Sequence, residues 1–198
     1  MLVIDGEFTG LNYNKHSIVS LGAFDFDNPD NRFYAECRIW DGAHIDEEAL
    51  VINGFSLAEV TDSKKMTEAE LIESFLEWSE DLDDRTFVGQ NVFVDREMLK
   101  AAAYRAGLEF NFAHRVLDTH TMCWTRMIRD GVEPPFDEEH HHSALNLSAI
   151  LDFCGIPKEP EPHNALTGAL CHGEVASRLL FDQPLLPEFS EFSIPWLR

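Results

Sequence analysis

The stretch that decides the fold is residues 2–40, LVIDGEFTGLNYNKHSIVSLGAFDFDNPDNRFYAECRIW. LVID is a short apolar run that ends in a carboxylate. SIVSLGAFDFD follows the turn-like GLNYNK, and RFYAECRIW follows NPDN. Runs rich in β-branched and aromatic residues, separated by Gly, Asn, Asp and Pro, read as strands joined by turns. Three antiparallel strands are therefore expected at the start of the chain, with NPDN as the second turn.

Beyond them the period changes. TEAELIESFLEWSEDL places Leu71, Ile72, Phe75, Leu76 and Leu82 at helical spacing, with Thr67 at the N-cap. DEEALVING reads as a short helix closed by Gly54, and SLAEV as another turn. TFVGQN reads as a fourth strand that breaks at Gly89, and REMLKAAAYRAG as a helix closed by Gly107. RVLDTH reads as a fifth strand leading into the helix MCWTRMIRD, GVEPPFDEEHHH as a polar loop, and ALNLSAILDFCG and HNALTGALCHGEVASRLL as helices. Strands followed by alternating helices and strands imply an α/β domain with a mixed five-stranded sheet and helices on both faces. The expected division is a domain over 1–181 and a Pro-containing tail over 182–198. In that tail Phe189, Phe192, Ile194 and Trp196 could pack on the domain or on a partner.

Of the 198 residues, 44% are hydrophobic, enough for one sizeable core. No run approaches the ~18 apolar residues of a membrane span, and an acidic residue at position five argues against a signal peptide. A cytoplasmic protein without a membrane role is the expectation. Cys37, Cys123, Cys154 and Cys171 form no CxxC pair and read as buried thiols. Fifteen Lys and Arg against thirty-six Asp and Glu give a net charge of −21. A protein that grips long nucleic acid needs a basic face, so a nucleic-acid substrate would be short or held at one local site. Residues 96–129, with Arg96, Lys100, Arg105, Arg115, Arg126 and Arg129, form the clear net-positive stretch.

Three weak signals concern chemistry. Asp5 and Glu7 lie two apart in a strand and so share a face, a repulsive pair unless a cation bridges it; an acidic strand end is the plainer reading. Asp95 follows a strand break and opens a helix, where it could simply cap. His163 stands beside a helix start after a proline run, where a surface histidine is the plainer reading.

Together these stretches resemble a known family. IDGEFTGL (4–11), GQNVFVDREML (89–99) and EPHNALTGA (161–169) are similar in order and spacing to the three motifs of the DEDDh, DnaQ-like 3′–5′ exonucleases, and LDTHTMC fits their intervening segment. The resemblance implies a ribonuclease-H-like fold and hydrolysis at the 3′ end of single-stranded or short nucleic acid. It also implies two divalent ions, Mg²⁺ or Mn²⁺, on Asp5, Glu7 and Asp95, and His163 as general base. By the same resemblance Thr9, Gly10 and Leu11 contact the terminal nucleotide, Asn91 belongs to the substrate rim, and a homodimer is common. Phe8 and Gln90 depart from the usual Thr and His. The serious departure is Gly168, where the family has its fourth carboxylate. His172 lies one turn on, on the same helix face, and is the candidate replacement ligand, whereas Glu174 lies well round the helix. On this reading Gly168→Asp restores a lost ligand. A degenerate, non-hydrolytic member is the alternative. His140, His141 and His142 in an acidic loop read as a solvated cluster, since zinc needs fixed spacing on rigid elements.

Overall fold

A computed structural model of the chain describes residues 1–197. Three strands, β1 (Leu2–Phe8), β2 (Ile18–Asp25) and β3 (Asn28–Arg38), form an antiparallel meander. The NPDN segment is not the turn. The chain reverses at Phe26–Asp27, where Asp25 accepts a hydrogen bond from the Asp27 N–H at 3.1 Å, and β3 already pairs at Asn28. A break in register between Phe24 and Asp25 accommodates Pro29, which cannot donate to a ladder.

The helices α1 (Glu47–Asn53), α2 (Leu57–Val60) and α3 (Glu68–Glu80) follow, with the two-residue β4 (Met66–Thr67) before α3. Thr67 caps α3 in a reciprocal box with Glu70. Then come β5 (Phe87–Gly89), α4 (Phe93–Arg105), β6 (Val116–Asp118) and α5 (Thr119–Arg129). The main sheet has six strands in the order β4-β3-β2-β1-β5-β6, one more than expected because β4 pairs at the edge beside β3. The polar loop after α5 is also structured: β7 (Phe136–Asp137) and β8 (His142–Ser143) make a separate hairpin. Helices α6 (Leu147–Cys154) and α7 (Ala165–Phe181) complete the domain. No helix among the described residues is long and apolar enough to cross a membrane.

Alternation on β1 sorts the two faces. Leu2 and Ile4 enter a core with Leu71, Phe75, Met98 and Leu99 of α3 and α4, whereas Val3 packs with Ala169 and Ala176 of α7. Helix α7 lies unusually close. A Cβ on Gly22 would stand 2.2 Å from the backbone of Ala165–Leu166, and one on Gly173 would stand 2.2 Å from the Phe24 ring. Segment 182–197 is held by a buried ion pair on α7. Arg178, fully buried, bonds Glu174 at 2.7 Å and donates to the carbonyls of Cys154, Phe189 and Phe192. Glu174 in turn accepts the N–H groups of Leu185 and Leu186. Ile194 is buried, and Trp196 stacks on Phe153 at 5.5 Å. The four cysteines are buried and unpaired with one another as disulfides.

Candidate active site

Strand β5 pairs with β1 only at Leu2 and Val3 and then turns away through Gly89. The turn is completed by Asn91 in a left-handed conformation (φ 50°), one that Asn tolerates better than most residues. The open edge of β1 is taken by α4. Asp95 does not cap that helix, because Val92 holds the N-cap position. Its carboxylate instead accepts the Gly6 N–H at 3.0 Å, the amide between Asp5 and Glu7. Strand alternation and this one cross-link bring Asp5, Glu7 and Asp95 to a single pocket of about 430 Å³. Its wall also carries Asp46, Glu48, Gly10, Leu11, Ile52, Asn53, Gln90 and Asn91, and neither Lys nor Arg.

So much negative charge without a counter-cation is costly. Burial first, then Asp5, then Glu159 push the Glu7 carboxyl up to about 8. Burial and then Asp5 also hold Asp95 well above the carboxylate range, against the Gly6 hydrogen bond. The donor set is oxygen-rich and suits a hard divalent ion. The oxygens of Asp5, Glu7 and Asp95 are not drawn into one tight cluster: among the described residues, the three groups with ligand atoms all within 4.8 Å of one another are Asp137, His140 and His142.

Both raised groups act on stability with the same sign. A carboxyl whose folded pKa lies above its unfolded value stabilises below the unfolded value and loses that contribution as pH rises through the folded one. Melting temperature in EDTA should therefore fall between about pH 4.5 and pH 8. Mn²⁺ should raise it most at the alkaline end. A melting temperature in EDTA that rises across this window would contradict the buried charge cluster.

The remaining sequence candidates fall into three groups. Gly10, Leu11 and Asn91 line the pocket, with Leu11 75% exposed. Thr9 does not: it is fully buried, donating to the His44 carbonyl at 2.7 Å and accepting the Ser17 N–H at 3.0 Å, so its side chain ties two loops together inside the fold. His163 is half-buried at the start of α7, and His172 is almost fully buried, its Nε2 3.3 Å from Asp5 Oδ1. Neither histidine is part of the pocket wall.

Gly168 is occupied space. A Cβ there would stand 2.1 Å from Asp5 Oδ2, so a carboxylate at this position collides with the one already present. Gly168→Asp should therefore turn the Asp5 carboxylate aside and set a further negative charge against it, which should lower the melting temperature in EDTA. Higher melting temperature and higher Mg²⁺ affinity in Gly168→Asp would reverse this reading.

Sequence reasoning passed over Glu159, on the proline-rich connection between α6 and α7. It is half-buried, receives the Asn164 N–H at 3.4 Å, and faces Asp5, His163 and His172. Burial and then Asp5 raise its pKa, while His163 opposes the rise. The basic stretch proves largely engaged in the fold. Arg96 pairs with Glu97 and binds the Ala113 carbonyl, Arg105 pairs with Glu68, and Arg126 pairs with Asp130 and Asp182.

A family model described as exonuclease matches residues 2–170. The chain belongs to the exonuclease family. No curated protein matches the sequence. Solved structures agree on the ribonuclease-H-like fold. E. coli exonuclease I in complex with a dT13 oligonucleotide is 16% identical, with a TM-score of 0.70 over 92% of this chain and 41% of that one. Exonuclease I from Methylocaldum szegediense gives 21%, 0.70, 92% and 41%, and cell-death related nuclease 4 gives 13%, 0.69, 92% and 64%. The exonuclease domain thus spans about two fifths of the length of these exonuclease I chains.

Proposed function

We propose that this exonuclease domain hydrolyses the terminal phosphodiester at the 3′ end of short or single-stranded nucleic acid, releasing nucleoside 5′-monophosphates. The observation that carries the reading is the convergence of Asp5, Glu7 and Asp95 on one pocket without a cationic side chain. These three residues would hold two divalent ions, Mg²⁺ or Mn²⁺, with Glu159 supplying the carboxylate that Gly168 lacks. Such ions, when bound, stabilise the charge on the attacking and leaving oxygens of an in-line displacement.

The chain's own groups do the rest. Asp95 is fixed against β1 by the Gly6 amide, and Asp5 is oriented by His172. His163 accepts the proton of the attacking water, with Glu159 facing its imidazole. Leu11 and Ile52, 75% and 60% exposed, frame the pocket with apolar surface suited to the face of a terminal base. The volume is that of a small-ligand site, and Asp46 and Glu48 on its wall repel additional phosphates, which favours a short end over a long strand. The homologues solved with oligonucleotides include E. coli exonuclease I, whose complexes are with dT13 and dA16.

The test is release of mononucleotides from a labelled oligonucleotide in Mn²⁺ and in EDTA. Stepwise release in Mn²⁺ alone is expected. No release over a range of Mn²⁺ and Mg²⁺ concentrations would overturn hydrolysis and leave a nucleotide-binding module, the reading that Gly168 favours. His163→Ala should lower turnover by about 10²–10⁴-fold, the usual contribution of a positioned base. A change under threefold would assign the proton transfer elsewhere.

A further inference from the structure

The β7–β8 hairpin carries a second group of ligand atoms, outside the carboxylate pocket. Asp137 ends β7, His142 begins β8, and His140 lies in the turn between them. Each offers one ligand atom, and the three lie within 4.8 Å of one another. The hairpin orients them before any ion arrives. Asp137 Oδ1 accepts the N–H groups of Glu139 and His140, both at 2.9 Å, which fixes the carboxylate plane. His142 Nδ1 lies 2.9 Å from the Ser143 carbonyl oxygen. A carbonyl can only accept, so that contact takes the proton on Nδ1 and leaves the Nε2 lone pair for a ligand. Metal-ligating histidines are held in this way, with the second ring nitrogen donating to a carbonyl. The His140 ring runs nearly parallel to that of His142, 23° apart with centroids at 5.8 Å, and its Nδ1 is 3.0 Å from Asp137 Oδ2. His141 has a left-handed backbone (φ 56°), which breaks the run of three histidines and sets its neighbours apart from it.

We propose that Asp137, His140 and His142 bind a borderline transition-metal dication, Zn²⁺ being the natural probe. Two imidazoles and one carboxylate suit Zn²⁺, Co²⁺ or Cu²⁺ and do not suit Mg²⁺. Three protein ligands on an exposed hairpin leave a coordination position for solvent. The site would fasten the turn of a two-strand ribbon whose base adjoins the active-site segment: Leu145, two residues past β8, accepts from the Gln90 side chain, next to Asn91 of the pocket.

The experiment is Zn²⁺ titration of the full chain by calorimetry, in excess Mg²⁺, for the native protein, His140→Ala/His142→Ala and His141→Ala. Co²⁺ absorption spectra serve as an independent readout. The hairpin is exposed, so these variants should fold, and their melting curves check it. The native protein and His141→Ala should take up one more Zn²⁺ than the double variant, and its Co²⁺ spectrum should lose the imidazole-dependent bands. The residual affinity of the double variant at the hairpin should fall by at least about 10–100-fold, the loss that even outer-shell changes produce. Equal stoichiometry and affinity in native and double-variant protein would overturn the site, as would equal loss in His141→Ala. Because the carboxylate pocket is intact in all three proteins, failure here leaves the nuclease reading standing.

Discussion

Asp5→Ala is expected to abolish Mn²⁺-dependent mononucleotide release while leaving the protein folded and, in EDTA, more stable. Asp5 is the residue on which the site's interactions meet. It raises the pKa of Glu7, Asp95 and Glu159, and it touches both His172 and the α carbon region of Gly168. Removing its charge takes one ligand from the proposed ions, yet relieves repulsion on three neighbouring carboxylates. Opposite movement of activity and melting temperature is what separates a functional charge cluster from a structural one. Asp5→Asn keeps a partner for His172 and should show the same loss of release. Activity within tenfold of native in either variant, or a lower melting temperature in Asp5→Asn, would remove Asp5 from the site.

Arg178→Ala should be the most destabilising of the single changes considered, by about 3–5 kcal/mol, because it leaves Glu174 buried without its counter-charge. Three carbonyls, those of Cys154, Phe189 and Phe192, lose their donor in the same step. For a chain of this length the loss corresponds to a melting shift of roughly 10 °C. Limited proteolysis should then cut within 182–197, since the guanidinium ties the Phe189 and Phe192 carbonyls of that segment to α7. Arg178→Lys should rescue only in part, because an ammonium cannot reproduce a planar fork bound on several sides. A shift of less than 1 kcal/mol, or a tail that stays protected, would show that Trp196 and Ile194 hold the segment without it.

The meander was legible because period-two apolar runs and turn residues coincide in residues 2–40, and α3 because Thr67 and Glu70 form a capping box on an amphipathic helix. Asp5 and Glu7 could be placed on one face by strand alternation, and Asp95 was joined to them by the resemblance of 89–99 to a family motif. What escaped depended on contacts between distant segments. Glu159 has no spacing that marks it; it comes to face Asp5 through the course of the proline-rich connection, where it receives the Asn164 N–H. Glu174 was set aside for pointing away from Gly168, and its actual partner is the tail. Thr9 has the residue type of a substrate contact, but the loop around His44 folds over it. Strand β4 and the β7–β8 ribbon are two residues per strand, too short for any periodicity to register.

The seam of Gly22, Gly168 and Gly173 sets how the proposed site could respond to ions. Main chain stands where a methyl on Gly22 would go, the Phe24 ring where one on Gly173 would go, and the Asp5 carboxylate where one on Gly168 would go, so α7 is held close over β1 and β2. On this side the framework is closed to adjustment, so Asp5 and Glu7 on β1 can approach an ion mainly through their χ angles. A fourth oxygen delivered on a loop can travel to an arriving ion, as one anchored to a helix jammed against the sheet could not.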